Sequence, residues 1–248
     1  MSNLKMDKVE QVLIEWIREY VDKAGAEGAV VGLSGGIDSA VTSVLCKKAF
    51  GENLLGVIMP CYSNGKDAAD ARKVADEFDI NYIEKDLSPV LDELLLVLED
   101  NKDYRQGNLA VANIKPRLRM TTLYYYAAKY NYLVVGTDNW SELTVGYFTK
   151  FGDGGVDIAP LGRLVKTEVR ELAKHLGISD DIINKSPSAG LWQGQTDEKE
   201  MGVSYDVLDR YILTGEGSAE EIERIETIVI QNKHKLNPLP IPDRDKLE

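Results

Sequence analysis

The stretch GAVVGLSGGIDSAVTSVLCKKAF, residues 28–50, constrains this chain more than any other. A short apolar run (29–33) ends in a Ser-Gly-Gly turn, and a helical pattern follows from about 39 to 50. An apolar run of this length, set between a turn and a helix, reads as a strand covered on both faces. Such strands belong to parallel sheets. The pattern then recurs. LLGVIM (54–59) reads as a strand, with a helix over 65–78 behind it. INYIE (80–84) is a further strand, followed by a helix that opens at Ser88 with Pro89 at its first position. Residues 107–130 are mostly helical, broken or restarted at Pro116, and YLVVGT (132–137) is another strand. Strands alternating with helices predict an α/β fold: one doubly wound, mainly parallel sheet with helices on both faces, in a single domain over 1–248. Sheets of this kind bind ligands beyond the carboxyl ends of their strands. That rule selects 34–39, 60–66 and 137–142.

The flanking segments add less. Leu13, Ile14, Ile17 and Val21 recur at helical spacing, so the N-terminal stretch reads as an amphipathic helix. Residues 146–165 are Gly-rich and polar with weak periodicity, an irregular segment of the sort that carries function. A helix is expected over 167–175, stopped at Gly177, then a loop over 186–202 and two more helices. The last opens at Ser218 with Glu221 three residues on, a capping box, and 237–245 reads as unstructured.

Net charge is −12, which disfavours non-specific nucleic-acid binding. Two cysteines (Cys46, Cys61) and two histidines (His175, His234) offer neither a disulfide framework nor a zinc site. No apolar run approaches the roughly 20 residues that span a bilayer, and charges interrupt every apolar run of the N-terminal segment. A cytoplasmic protein is expected.

The turn itself has a chemistry. A helix N-terminus presents unpaired N–H groups and the positive end of a dipole, which suits an anion. Gly35 and Gly36 let backbone approach phosphate, and Ser34 and Ser39 add hydroxyls. Neither GxxxxGK[ST] nor GxGxxG is present. Asp38 would repel a phosphate unless a cation bridged them, and Mg²⁺ is the usual bridge. Read blandly, the turn is a Gly-Gly corner with Asp38 as a helix cap.

LSGGIDS resembles the pyrophosphate-binding loop of the N-type ATP pyrophosphatases, which share an adenine nucleotide alpha hydrolase-like, Rossmann-like fold. The segments GNLAVANIKPRLRM, VVGTDNWSELTVGYFTKFGDGGVDIAPLGRLVKTEVRELAKHLG and KSPSAGL, with His234–Lys235, are similar to the ammonia-dependent NAD synthetases. That resemblance implies ATP-dependent amidation of deamido-NAD by ammonia, with an adenylated carboxylate as intermediate and Mg²⁺ beside ATP. It implies ATP contacts at Gly32, Leu33, Ser34, Gly35, Gly36, Ile37, Asp38, Ser39, Thr137, Lys166 and Ser188. Deamido-NAD would meet Arg117, Lys150, Asp157, His234 and Lys235, and Mg²⁺ would sit on Asp38 and Glu142. Asp38, Lys166 and Asp157 are the implied catalytic residues, and a homodimer with a shared substrate site is implied as well. Arg117 and Arg119 stand two apart on a helix and face different sides, and the resemblance selects Arg117. Asp153 and Asp157 are both open as a base for ammonia. No Cys–His–Glu constellation that would release ammonia from glutamine is read in the sequence, so free ammonia is the expected nitrogen source unless a separate subunit supplies it. A GMP synthetase would not be expected to carry the FTKxGDGGxD block, and a tRNA thiolase would want catalytic cysteines and a basic face. A non-catalytic nucleotide-binding module would have no need for the Asp38–Glu142 pair.

Overall fold

A computed structural model describes residues 4–99, 108–188, 196–238 and 240–246. The chain opens with helix α1 (Met6–Lys23), strand β1 (Gly28–Gly32), α2 (Ile37–Phe50), β2 (Leu54–Ile58), α3 (Gly65–Glu77), β3 (Tyr82–Glu84) and α4 (Ser88–Glu99). A short helix α5 (Leu109–Ala112) runs into α6 (Ile114–Tyr130), and β4 (Tyr132–Val134) leads to α7 (Trp140–Val145). After an irregular stretch come α8 (Lys166–His175), α9 (Asp180–Ile183), α10 (Asp197–Met201), α11 (Tyr205–Thr214) and α12 (Ala219–Leu236).

The four strands lie in the order β3-β2-β1-β4 and every pairing is parallel. Val30, at the centre of β1, pairs with Leu55 on one side and Val134 on the other. Successive side chains of a strand leave on opposite faces. Ala29, Val31, Leu54 and Ile58 therefore join α1, α2 and α8 in one core, through Ile17, Val41, Val44, Val169 and Leu172. Val30, Val57 and Val134 join α4 and α6 in the other, through Leu91, Leu95 and Ala127. Burial on both faces is why these strands are apolar throughout instead of alternating. A third cluster, with Val145, Met201, Tyr205, Leu208 and Ile225, packs α7 and α10–α12 beyond the sheet.

Strand order decides where a ligand can bind. The chain steps outward from β1 to β2 to β3, then returns to the opposite side of β1 as β4. At such a reversal the connections leave in opposite directions and open a crevice at the carboxyl ends. The loop after β1 and the loop after β4 border that crevice.

The expected elements are present, with differences at their edges. The expected strand over 132–137 is cut short. Past Val134 the chain exchanges partners: Gly136 N donates to Ile158 O (2.8 Å), and Val135 bridges to Ile158. The loop expected over 186–202 contains α10, because Met201 is drawn into the third cluster and Gly202 ends the helix at φ 72°. Residues 189–195, including Trp192, lie outside the described set. Pro116 restarts a helix as expected. It sits in the first turn of α6, where its missing N–H costs nothing. The tail expected to lack structure carries a 3₁₀ turn at Arg244–Lys246. Both cysteines are buried and free, and burial pushes the Cys46 thiol far up. No helix among the described residues is long and apolar enough to cross a membrane.

Candidate active site

A cavity of about 1170 Å³ opens at the carboxyl edge of the sheet. It exceeds the roughly 300–1,000 Å³ of an ordinary small-molecule pocket. Within residues 32–39, all but Gly35 line it, and so do Thr137, Glu142, Lys166, Ser188 and Lys235.

The loop after β1 is organised by its serines. Ser34 Oγ accepts from Gly36 N (3.2 Å) and donates to Ser39 Oγ (3.0 Å), which donates to Gly36 O (2.9 Å). Gly36 is the N-cap of α2, and no side chain caps that helix. Its first-turn N–H groups thus remain for a ligand. Gly35 adopts φ +74°, and a Cβ there would lie 2.3 Å from Asp67 O. Only glycine fits. Lys185 holds this corner from below: its ammonium donates to Gly35 O (3.1 Å), Asp67 Oδ1 (2.7 Å) and Asp70 Oδ2 (2.7 Å).

Across the crevice, the start of α7 builds the other wall. Asn139 is its N-cap: Oδ1 accepts from Glu142 N (3.0 Å), while Glu142 Oε2 accepts from Asn139 N (3.1 Å). This capping box fixes the rotamers of both side chains and leaves one arm of each free for the crevice. Asn139 Nδ2 donates to Asp38 Oδ1 (2.9 Å), and Glu142 Oε1 accepts from Lys166 Nζ (3.1 Å). Lys166 Nζ also donates to Asp38 Oδ2 (2.5 Å). Lys166 is the first residue of α8, whose leading amides donate to Ser141 Oγ (3.0 Å) and Asp209 Oδ2 (2.7 Å). Three elements distant in sequence thus converge on one ammonium.

The electrostatics are those of crowded carboxylates. Lys166 is 2% exposed and Glu142 9% exposed. Burial, reinforced by the charge of Asp38, pushes the Glu142 carboxyl up to about 7 against the pull of Lys166. Burial opposes the Lys166 charge, but Asp38 and Glu142 outweigh it and hold the ammonium above its ordinary value. Asp138, 7% exposed, is raised by burial and then by Asp153, Glu142 and Asp38. Tyr205 OH lies 3.1 Å from Asp197 Oδ2 and 3.2 Å from Glu142 Oε1, and its ring lies under the Lys166 ammonium. Excess negative charge beside the phosphate-type loop is what a divalent cation would neutralise. Among the described residues no group of three or more His, Cys, Asp and Glu is set to hold a metal. Two carboxylates with further ligands from water and phosphate is the donor set Mg²⁺ takes, so Asp38 and Glu142 fit it.

The residues expected to meet a second substrate divide. Lys235 lines the cavity and donates to Gly146 O (2.9 Å) and Phe148 O (3.1 Å). Arg117, Lys150, Asp157 and His234 are not in the cavity wall. Arg117 Nη2 donates to Lys150 O (3.4 Å) and Lys150 Nζ to His234 O (2.8 Å), which gathers these three on an outer face beside the cavity. Asp157 accepts from Val134 N (2.8 Å) and Tyr124 OH (3.0 Å), so in this chain it caps the end of β4. Asp153 does line the cavity and accepts from Thr149 N (2.9 Å). Arg119, and not Arg117, is the arginine in the cavity wall among the described residues. Asn139, Tyr205, Asp197 and Lys185 were not singled out from the sequence, although Asn139 carried a signal, an N-cap residue three before an acid, and Lys185 opens the KSPSAGL segment.

The sequence model of NAD synthase matches residues 9–239. The NH3-dependent NAD(+) synthetase of Carboxydothermus hydrogenoformans is 52% identical over 95% of this chain and 97% of its own. The structure of NMN synthetase from Francisella tularensis superposes with a TM-score of 0.92 at 39% identity, covering 97% of this chain and 100% of that one. NH3-dependent NAD synthetase from Campylobacter jejuni gives a TM-score of 0.79 at 29% identity, with coverage of 97% and 100%. A match across nearly the whole chain, on a sheet whose switch point gathers Asp38, Glu142 and Lys166, shows that this chain belongs to the NAD synthase family.

Proposed function

We propose that the chain is a C–N ligase that amidates deamido-NAD with ammonia, converting ATP to AMP and pyrophosphate. The observation that carries this reading is the meeting of Asp38, Glu142 and Lys166 beside the uncapped start of α2. ATP would lay its phosphates against the 34–39 loop, where N–H groups and the Lys166 ammonium offset charge on the departing pyrophosphate. Such help is electrostatic and positional, with no covalent bond to the protein. Thr137 and Ser188 would contact ATP from the walls opposite. Asp38 and Glu142 would hold Mg²⁺, which when bound neutralises phosphate charge. The acid carboxylate attacks the α-phosphorus and pyrophosphate leaves. Ammonia then attacks the adenylated carbonyl, a proton departs and AMP leaves with the bond broken at its oxygen. Of Asp153 and Asp157, Asp153 is the one that lines the cavity and would take that proton. With substrates seated, the cavity walls would shield the adenylate from water that would hydrolyse it.

The deamido-NAD reading of Arg117, Lys150 and His234 fits a homodimer, because these residues stand on an outer face. Leu109 and Tyr125, 63% and 61% accessible on α5 and α6, add exposed apolar surface that a partner copy would cover. The single-domain, ammonia-dependent organisation is part of the same proposal.

A second reading has one specific observation in its favour, the likeness to an NMN synthetase. The same chemistry on the acid mononucleotide would yield NMN. Supplying both acceptors in one reaction, with ATP, Mg²⁺ and ammonium, separates the two. NAD in excess supports the dinucleotide, NMN in excess replaces it, and neither product refutes the ligase reading.

A further inference from the structure

Several cations line the cavity, and they differ in how they are neutralised. Lys166 sits between Asp38 and Glu142, and Lys185 between Asp67 and Asp70. Arg119 has no such company. Its Nε donates to Met59 O (3.1 Å) and its Nη2 to Ser63 Oγ (3.0 Å), both neutral acceptors. No carboxylate among the described residues lies within ion-pair distance of it. The guanidinium is nevertheless drawn away from solvent, and that desolvation weighs on its charged form.

Asp153 and Asp67 offset that cost only from beyond contact, and a desolvated cation with no counter-ion in contact is kept where a ligand brings the missing charge. The two bonds Arg119 does make fix its plane against the carboxyl end of β2 and leave donors of the fork unused, since a guanidinium has five N–H groups. Lys115, one turn earlier on α6, is 3% exposed and also lines the cavity, which adds positive charge to the same wall. Both residues stand on the wall that α6 lends to the cavity, away from the acids grouped around Lys166. A planar fork of this kind recognises a two-oxygen anionic edge, carboxylate or phosphate, in bidentate fashion.

We propose that Arg119, supported by Ser63 and Met59, is an anion-binding subsite of the cavity that takes a carboxylate or phosphate edge of a bound nucleotide. The proposal rests on the ligase reading above. It replaces Arg117 as the arginine that meets ligand inside a single chain, and leaves Arg117 to the outer face. The anion has two possible sources, ATP and the acid dinucleotide.

The test measures dissociation constants of the full-length protein for MgATP and, separately, for deamido-NAD, in wild type, Arg119→Met and Arg119→Lys. Weakening of at least tenfold in Arg119→Met for one ligand supports the subsite, and the affected ligand identifies the source. Arg119→Lys is expected to recover only part of the loss, because a point charge cannot reproduce the fork. Thermal melting run alongside checks folding. Should Arg119→Met fail to fold, Ser63→Ala keeps the charge and releases the fork, and the same ligand is expected to weaken by about threefold or more. Unchanged binding of both ligands in folded Arg119 or Ser63 variants overturns the proposal alone. A wild-type protein that binds neither ligand overturns the ligase reading and this subsite with it.

Discussion

Asn139→Ala separates a structural cap from a residue that aims the site. Asn139 does both tasks: it accepts from Glu142 N and donates to Asp38 Oδ1. Losing the N-cap costs about 1 kcal/mol. Losing a hydrogen bond to a charged carboxylate costs about 2 kcal/mol more. The sum, about 3 kcal/mol, corresponds to a melting temperature lower by roughly 6–12 °C for a protein of this size. Activity should suffer separately. With Asp38 released on one side and Glu142 no longer locked by the capping box, a displacement near 1 Å would cost about a hundredfold in kcat/KM. Asn139→Asp retains an oxygen to cap α7 but sets a carboxylate against Asp38. It should lose activity as severely while keeping the helix capped. The assays are urea unfolding and initial rates of AMP release. An Asn139→Ala protein within about 1 kcal/mol of wild type, with kcat/KM within about threefold, would refute the argument.

Other perturbations follow from single contacts. Gly35→Ala places a Cβ 2.3 Å from Asp67 O at φ +74°, so melting should fall and ATP affinity should drop together, by thermal scan and titration. Lys185→Met leaves Asp67 and Asp70 without their cation. It should cost about 2 kcal/mol and raise the KM for ATP, and adding Asp67→Asn should restore part of the stability. Glu10 ties α1 to the body through Lys48 (2.6 Å) and His175 (2.8 Å), and the Lys48 bond chiefly holds its carboxyl below 4.5. A depressed carboxyl stabilises above its unfolded value and loses that contribution as pH falls through the folded one. The melting difference between wild type and Glu10→Gln should therefore be full above the unfolded value of 4.5, shrink as pH falls below it, and vanish only below the lower folded value.

The sheet was legible because β1 and β2 are buried on both faces and so read as unbroken apolar runs, with β4 partly buried and apolar as well. Asp38 and Glu142 were legible as a pair only through a resemblance, since about a hundred residues separate them and strand order alone joins them. Residues whose part comes from cross-chain geometry left little trace. Tyr205 is an ordinary helix residue until α11 packs it against Asp197 and Glu142. The choice between Arg117 and Arg119 depended on the rotation of α6 against the sheet. Spacing shows that the two face different sides, but not which side is the cavity. Helix α10 was hidden for a similar reason: five residues carry too little periodicity to stand apart from a loop.

The central claim is ATP-driven amidation at one site, and the direct measurement is product stoichiometry. Purified protein is given ATP, Mg²⁺, deamido-NAD and ammonium, and NAD and AMP are quantified together. NAD and AMP appearing one to one, dependent on ammonium, abolished in Asp38→Asn and poorly supported by glutamine, is the expected result. AMP release that proceeds without NAD, or NAD formation unaffected in Asp38→Asn, would contradict the account.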